Sequence, residues 1–153
     1  MHVTPVSVEF GEHLVPASIF KLGRDLRTLI DRELAEQGIT TQQAALMLMT
    51  RVHAGHGVHR LADPLGTDTA GLTRLVDRLE AKGLVVRHPS PHDRRALVLE
   101  LTPAGQELIP DLLAAFKRAH DQLLAGIDKH EIEQFQSTVH RLRENLRAAA
   151  ARP

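Results

Sequence analysis

The stretch Thr67-Asp68-Thr69-Ala70-Gly71-Leu72-Thr73-Arg74-Leu75-Val76-Asp77-Arg78-Leu79-Glu80-Ala81-Lys82-Gly83-Leu84-Val85-Val86-Arg87-His88 decides the fold. Leu72, Leu75, Val76 and Leu79 recur at helical spacing, Thr67 or Thr69 is placed to cap the helix, and Gly83 is placed to end it. Ahead of it, Val58 to Gly66 reads as a short helix and a tight turn, with Pro64 lacking the amide hydrogen that an interior position donates. A short helix, a turn and a second helix are helix-turn-helix geometry. Behind it, Leu84 to His88 and Ala96 to Leu101 are β-prone runs around the polar segment 89–95, a hairpin with Leu97, Leu99 and Leu101 expected on one face. The loop is longer than a tight hairpin needs, so it should protrude as a wing.

Outward from this lobe the chain reads as helices. Ser18 to Gln37 carries Ile19, Leu22, Leu26, Leu29, Ile30 and Leu34 on one stripe, with Ser18 the expected cap and Gly38 the expected stop. A second helix is expected from Thr40 or Thr41, broken by Ala54-Gly55-His56-Gly57. Thr102-Pro103 opens another as N-cap and N1, with Leu108, Leu112, Phe116, Leu123 and Ile127 as its stripe. The last, about Asp128 to Ala149, carries Ile132, Phe135, Val139, Leu142 and Leu146 in alternating steps of three and four. These faces exceed what a small winged lobe can cover, so a dimer is expected to bury them. The expected fold is mainly α with a small β-hairpin wing. An N-terminal arm and dimerisation helix would span 1–37, a winged helix-turn-helix lobe 38–101, and C-terminal dimerisation helices 102–153.

Composition narrows the function. The 153 residues hold 19 Lys and Arg against 19 Asp and Glu, with 10 His and no Cys, Trp or Tyr. Without cysteine there is no disulfide scaffold, thiolate nucleophile, peroxide-sensing thiol or Cys-based zinc site. No run approaches a membrane span, and Met1 to Gly11 lacks the basic and apolar pattern of a signal peptide, so a cytoplasmic location is expected. No Ser-His-Asp order, phosphate-binding glycine loop or His-Glu-x-x-His run is present, so no enzyme and no cofactor are expected. His53, His56 and His59 are spaced by threes, but Gly55 and Gly57 interrupt the helix that would bring them together, and a solvated histidine-rich turn is the expectation over a metal site.

Chemistry concentrates between Thr67 and Arg95, where six bases face four acids for a net charge of +2 inside a neutral chain, and His88 and His92 can add to it. The core spacing leaves Thr69, Ala70, Thr73, Arg74, Asp77 and Arg78 pointing outward, with Arg74 and Arg78 four apart and neighbours on one face. Stacked arginines beyond small residues suit major-groove entry. Solvated surface arginines, with or without Asp77 or Glu80 as partners, are the alternative. At the wing, Asp93-Arg94-Arg95 places an arginine where a narrow minor groove attracts it, with Asp93 able to orient a guanidinium.

The run Thr73 to Arg87, then Pro91-His92-Asp93-Arg94-Arg95-Ala96 and Leu101-Thr102-Pro103-Ala104-Gly105, resembles the MarR family of winged helix-turn-helix transcription regulators, over most of the chain from Ser18 to Ala149. The resemblance implies a homodimer joined through the first and last two helices, binding a pseudo-palindromic duplex. It implies recognition-helix contacts from Thr73, Arg74 and Arg78 and a wing-tip contact from Arg94 supported by Asp93. Thr69, His92 and Arg95 complete the expected DNA-facing set, while Gly83 and Gly105 act as structural punctuation. Pro64, in the helix before the turn, and Ala70 and Gly71, at the start of the recognition helix, depart from the family's pattern. The resemblance also implies a repressor released from DNA by a small, often aromatic or anionic, ligand in a cleft lined by the first, second and fifth helices. Its lining residues are not set by the sequence. Expected partners are therefore double-stranded DNA, a second copy of the chain and a small-molecule effector, with no membrane. A small-molecule or metal sensor whose winged lobe contacts another protein is the second reading.

Overall fold

A computed structural model describes residues 14–93 and 95–151, so the N-terminal arm and Arg94 lie outside the described residues. Helix α1 runs Val15–Glu33, earlier than expected from Ser18. Pro16 sits in the first turn, where a missing amide costs nothing, and the Ser18 amide already donates to the Leu14 carbonyl at 3.1 Å. Ser18 is thus a first-turn residue and not the cap. The helix stops at Glu33, and a 3-10 turn over Ala35–Gln37 carries the chain to Gly38, whose φ of 66° only glycine adopts freely.

Helix α2, Thr41–Val52, begins at a reciprocal capping box. The Gln43 amide donates to Thr40 Oγ1 at 3.3 Å and the Thr40 amide to Gln43 Oε1 at 3.1 Å. Asp31 Oδ1 accepts from both the amide and the hydroxyl of Thr41, each at 2.7 Å, and so fixes the α1–α2 corner. The expected first helix of the helix-turn-helix is a single 3-10 turn, Val58–Leu61, with Pro64 in the turn that follows. Helix α3 spans Thr69–Ala81 and buries Leu72, Leu75, Val76 and Leu79 as the spacing required. Its cap is Asp68 rather than either flanking threonine, because the carboxylate reaches the Gly71 amide at 2.6 Å. Gly83, at φ 69°, ends the turn after it.

Strands β1, Val85–Pro89, and β2, Leu97–Leu101, pair antiparallel with Val85 opposite Leu101 and Pro89 opposite Leu97. Leu99 and Leu101 face the core, but Leu97 is 50% exposed and Val98, from the other face, is buried. Leu97 lies where the pair leaves the core for the wing, while Val98 meets Gly57 in a bridge that covers the outer face there.

Helix α4, Pro103–Leu123, is fastened at its first turn. Thr102 Oγ1 donates to the Gly83 carbonyl at 2.6 Å and accepts from the Gly105 amide at 3.1 Å, and the Thr102 amide donates to the Leu84 carbonyl at 3.1 Å. The buried face of α4 is Gly105, Ile109, Leu112, Ala115 and Ala119, with Leu108 and Phe116 at its edge. Of the expected stripe only Leu112 is fully buried; Leu123 and Ile127 are exposed. Small side chains let α4 approach closely, and a stripe of large residues does not register them.

A Cβ on Gly105 would stand 2.1 Å from the Leu84 carbonyl oxygen, which is backbone and cannot step aside. Gly105→Ala should therefore lose about 1–3 kcal/mol, roughly 2–12 °C in Tm. Thermal unfolding at fixed protein concentration checks this. A raised Tm, the usual result of Gly→Ala inside a helix, would contradict the close approach.

The chain divides after Ala119. In the second unit, the end of α4 passes through Gly126 at φ 78° into α5, Lys129–Ala150. Asp128 caps it in a second capping box with Glu131, at 2.9 and 3.0 Å. None of the residues of α5 is buried: Ile132, Val139 and Leu142 are half-buried, and Phe135 and Leu146 stand exposed.

Candidate nucleic-acid interface

Helix α3 is held on its inner face by the four buried residues and leaves Thr69, Thr73, Arg74 and Arg78 exposed outside. Thr73 Oγ1 donates back to the Thr69 carbonyl at 2.9 Å, a local bond that leaves both side chains at the surface near the helix start. Gly71 explains one departure noted in the sequence: its Cβ position is taken by Thr67 Oγ1, 2.1 Å away. A side chain at this position would have to displace the Thr67 hydroxyl of the capping loop folded against it.

The acids of this helix are turned away from its arginines. Asp77 Oδ1 accepts from the Arg87 guanidinium, Glu80 Oε2 lies 3.5 Å from the same group, and Glu80 Oε1 accepts from the Arg87 amide at 3.1 Å. Lys82 is also committed, its ammonium donating to the Gly38 carbonyl and, at 3.3 Å, to Gln43 Oε1. Among the described residues, Arg74 and Arg78 have no side-chain hydrogen bond or ion pair. Neither Asp77 nor Glu80 pairs with them, and both arginines stand solvated at the surface. A notch of ≈ 160 Å³ between Gln42, Thr67, Gly71, Arg74, Leu75 and Arg78 adds Gln42 of α2 to this surface. Nothing in the order of residues brings Gln42 beside Arg74; its only signal was a polar side chain at the start of a helix.

The wing is tied internally. Ser90 Oγ accepts from the amides of His92 and Asp93 at 3.2 and 3.3 Å, Asp93 Oδ1 accepts from the Arg95 amide at 2.9 Å, and the Ser90 amide donates to the Ala96 carbonyl at 2.8 Å. Asp93 thus shapes the turn through the backbone. His92, Asp93 and Arg95 are exposed there, and the expected contact of Arg94 falls outside the described residues. His88 Nε2 lies 3.1 Å from Glu100 Oε2, so this imidazole faces a carboxylate of its own sheet.

The histidine-rich turn pairs His53 with His56 and sets His59 against the backbone of Gly57. The His53 and His56 rings meet edge to face at 5.7 Å, His56 Nδ1 lies 3.1 Å from the His53 carbonyl, and the His59 ring sits against Gly57. Among the described residues no three or more metal-ligating side chains come together. No helix of the described residues is long and apolar enough to cross a membrane. Behind the wing a cavity of ≈ 570 Å³ is lined by residues including Thr50, Arg51, Pro91, Glu100, Gln106 and Ile109. It lies against α2, β2 and α4, not against α1 as the expected cleft would.

Residues 37–96 match a model of the MarR family. Among solved structures, a probable transcriptional regulator from Pseudomonas aeruginosa is similar over 85% of this chain and 97% of its own, at 25% identity and a TM-score of 0.78. CouR from Rhodococcus jostii, solved bound to p-coumaroyl-CoA, is similar over 84% of this chain and 90% of its own, at 26% identity and a TM-score of 0.76. MepR from S. aureus, solved as a DNA complex, shares the fold at 20% identity and a TM-score of 0.81, over 88% of this chain and 99% of its own.

Proposed function

Because the chain belongs to the MarR family of winged-helix transcriptional regulators, we propose that it is a homodimeric, ligand-responsive repressor that binds a pseudo-palindromic operator in the cytoplasm. Thr69, Thr73, Arg74 and Arg78 of α3 would enter the major groove, and His92, Asp93, Arg94 and Arg95 would form the wing contact in the adjacent minor groove. The observation that carries this reading is the pairing pattern on α3. Both acids of the helix are spent on Arg87, which leaves Arg74 and Arg78 as exposed cations on one face. Cations free of internal partners are what phosphate and guanine edges require.

The homodimer reading is supported by apolar surface that each unit leaves uncovered. Val15, Ile19, Phe20 and Leu22 are exposed on α1, and Phe135 and Leu146 on α5. In this reading 1–37 and 102–153 form the dimerisation region around a DNA-binding lobe at 38–101. The cavity behind the wing supports control by a small ligand, since Pro91 and Glu100 place its wall on the hairpin that carries the wing. A molecule bound there would act by favouring a hairpin position that fits DNA less well.

Competition between a duplex from the region upstream of the coding sequence and excess random duplex, at two salt concentrations, tests the function. A preference of about a thousandfold or more is expected of a specific regulator. Equal binding to both with a steep salt dependence would overturn it and promote the protein-contacting sensor.

A further inference from the structure

We propose that Arg87 is a positioning residue that locks the wing strand to the recognition helix, so that the two DNA-contacting elements are presented as one rigid unit. The proposal rests on the DNA-binding reading above. A two-stranded hairpin is at best marginally stable by itself, so the direction of the wing must be set by what the hairpin touches. At its base that is Thr102 on Gly83 and Leu84. Further along, in the middle of β1 and opposite Leu99, it is Arg87.

One strand residue is held there by two helix residues. The guanidinium of Arg87 bridges the carboxylates of Asp77 and Glu80, and its amide donates to Glu80 Oε1 at 3.1 Å, so side chain and backbone are fixed by the same partners. Asp77 and Glu80 are three residues apart and share a helix face, which suits the fork of an arginine; a lysine ammonium reaches one of them at a time. The Arg87 side chain is only 27% exposed, so water competes for it less than at an open ion pair. Without the clamp, DNA would have to order the wing at the moment of binding, a cost charged against affinity.

The test uses the full-length protein with Arg87→Gln, Arg87→Lys and the triple change Arg87→Gln, Asp77→Asn, Glu80→Gln. The triple variant removes the link but leaves the surface one charge less negative than the original, so it separates positioning from neutralisation. Amide hydrogen exchange over residues 85–101 of the free protein is read first, with circular dichroism confirming the fold. Hydroxyl-radical protection of the minor groove and methylation protection of guanine N7 in the major groove are read next. Arg87→Gln should speed exchange in the hairpin and lose minor-groove protection while keeping the major-groove pattern, with affinity down about tenfold. Arg87→Lys should restore part of the protection, and the triple variant none. Hairpin exchange and minor-groove protection unchanged in Arg87→Gln would overturn the proposal, as would recovery of both in the triple variant. If the unaltered protein shows no site-selective protection, the DNA-binding reading fails, and the exchange measurement still decides the clamp separately.

Discussion

Arg74→Ala with Arg78→Ala is expected to lower affinity for the specific duplex by about a hundredfold or more, since each bidentate arginine contact to a base is worth about 1–3 kcal/mol. The fold should survive. Both side chains are exposed and make no internal bond among the described residues, and the buried face of α3 is untouched. The way the loss divides between duplexes is more informative than its size. Base contacts predict a large loss on the specific duplex and a small one on random DNA, with relaxed preference at the contacted positions. Phosphate contacts predict nearly equal losses on both and a salt slope shallower by about one for each arginine removed. Affinities within a factor of two of the original on both duplexes would exclude this face of α3 from the interface.

The second large effect concerns assembly. Phe20 is 79% exposed on α1 and Leu146 71% exposed on α5, and a buried charge at either place would oppose burial of its apolar neighbours. Phe20→Asp and Leu146→Asp should therefore move the protein from dimer to monomer in sedimentation at micromolar concentration. A monomer engages one half-site, so the gain from linking two contacts is lost and affinity falls by a factor on the order of 10² to 10⁴. Circular dichroism distinguishes this from unfolding, since neither residue belongs to the buried core. A monomeric starting protein, or variants that remain dimeric and bind DNA unchanged, would contradict the assignment of these faces.

What the sequence disclosed and what it withheld follow from the range of the forces involved. The four core positions of α3, the glycine stop at Gly83, the start of α2 at Thr40 or Thr41 and the opening of α4 at Thr102-Pro103 rest on local geometry, and all stand in the structure. The cap of α3 was misplaced because Thr67, Asp68 and Thr69 all have capping side chains, and only the path of the chain selects Asp68. The stripe of α4 runs through Gly105, Ile109, Leu112, Ala115 and Ala119, so Leu108 and Phe116 lie at its edge, and its small members carry little hydrophobic signal. Leu97 followed the alternation rule to a strand end where the core has stopped.

At the candidate interface, Arg74 and Arg78 were legible from their spacing. The fate of Asp77 and Glu80 was not, because the fold-back of β1 brings Arg87 to them across ten and seven residues of chain. Gln42 joins the same surface from another helix altogether.

Sequence-specific recognition by a symmetric pair of winged lobes is tested most directly by selecting bound duplexes from a randomised library and sequencing them. The account predicts enrichment of an inverted repeat whose half-site centres lie about 10 base pairs apart, one turn of the duplex. A selected pool with no shared motif, or with a single unrepeated half-site, would contradict it.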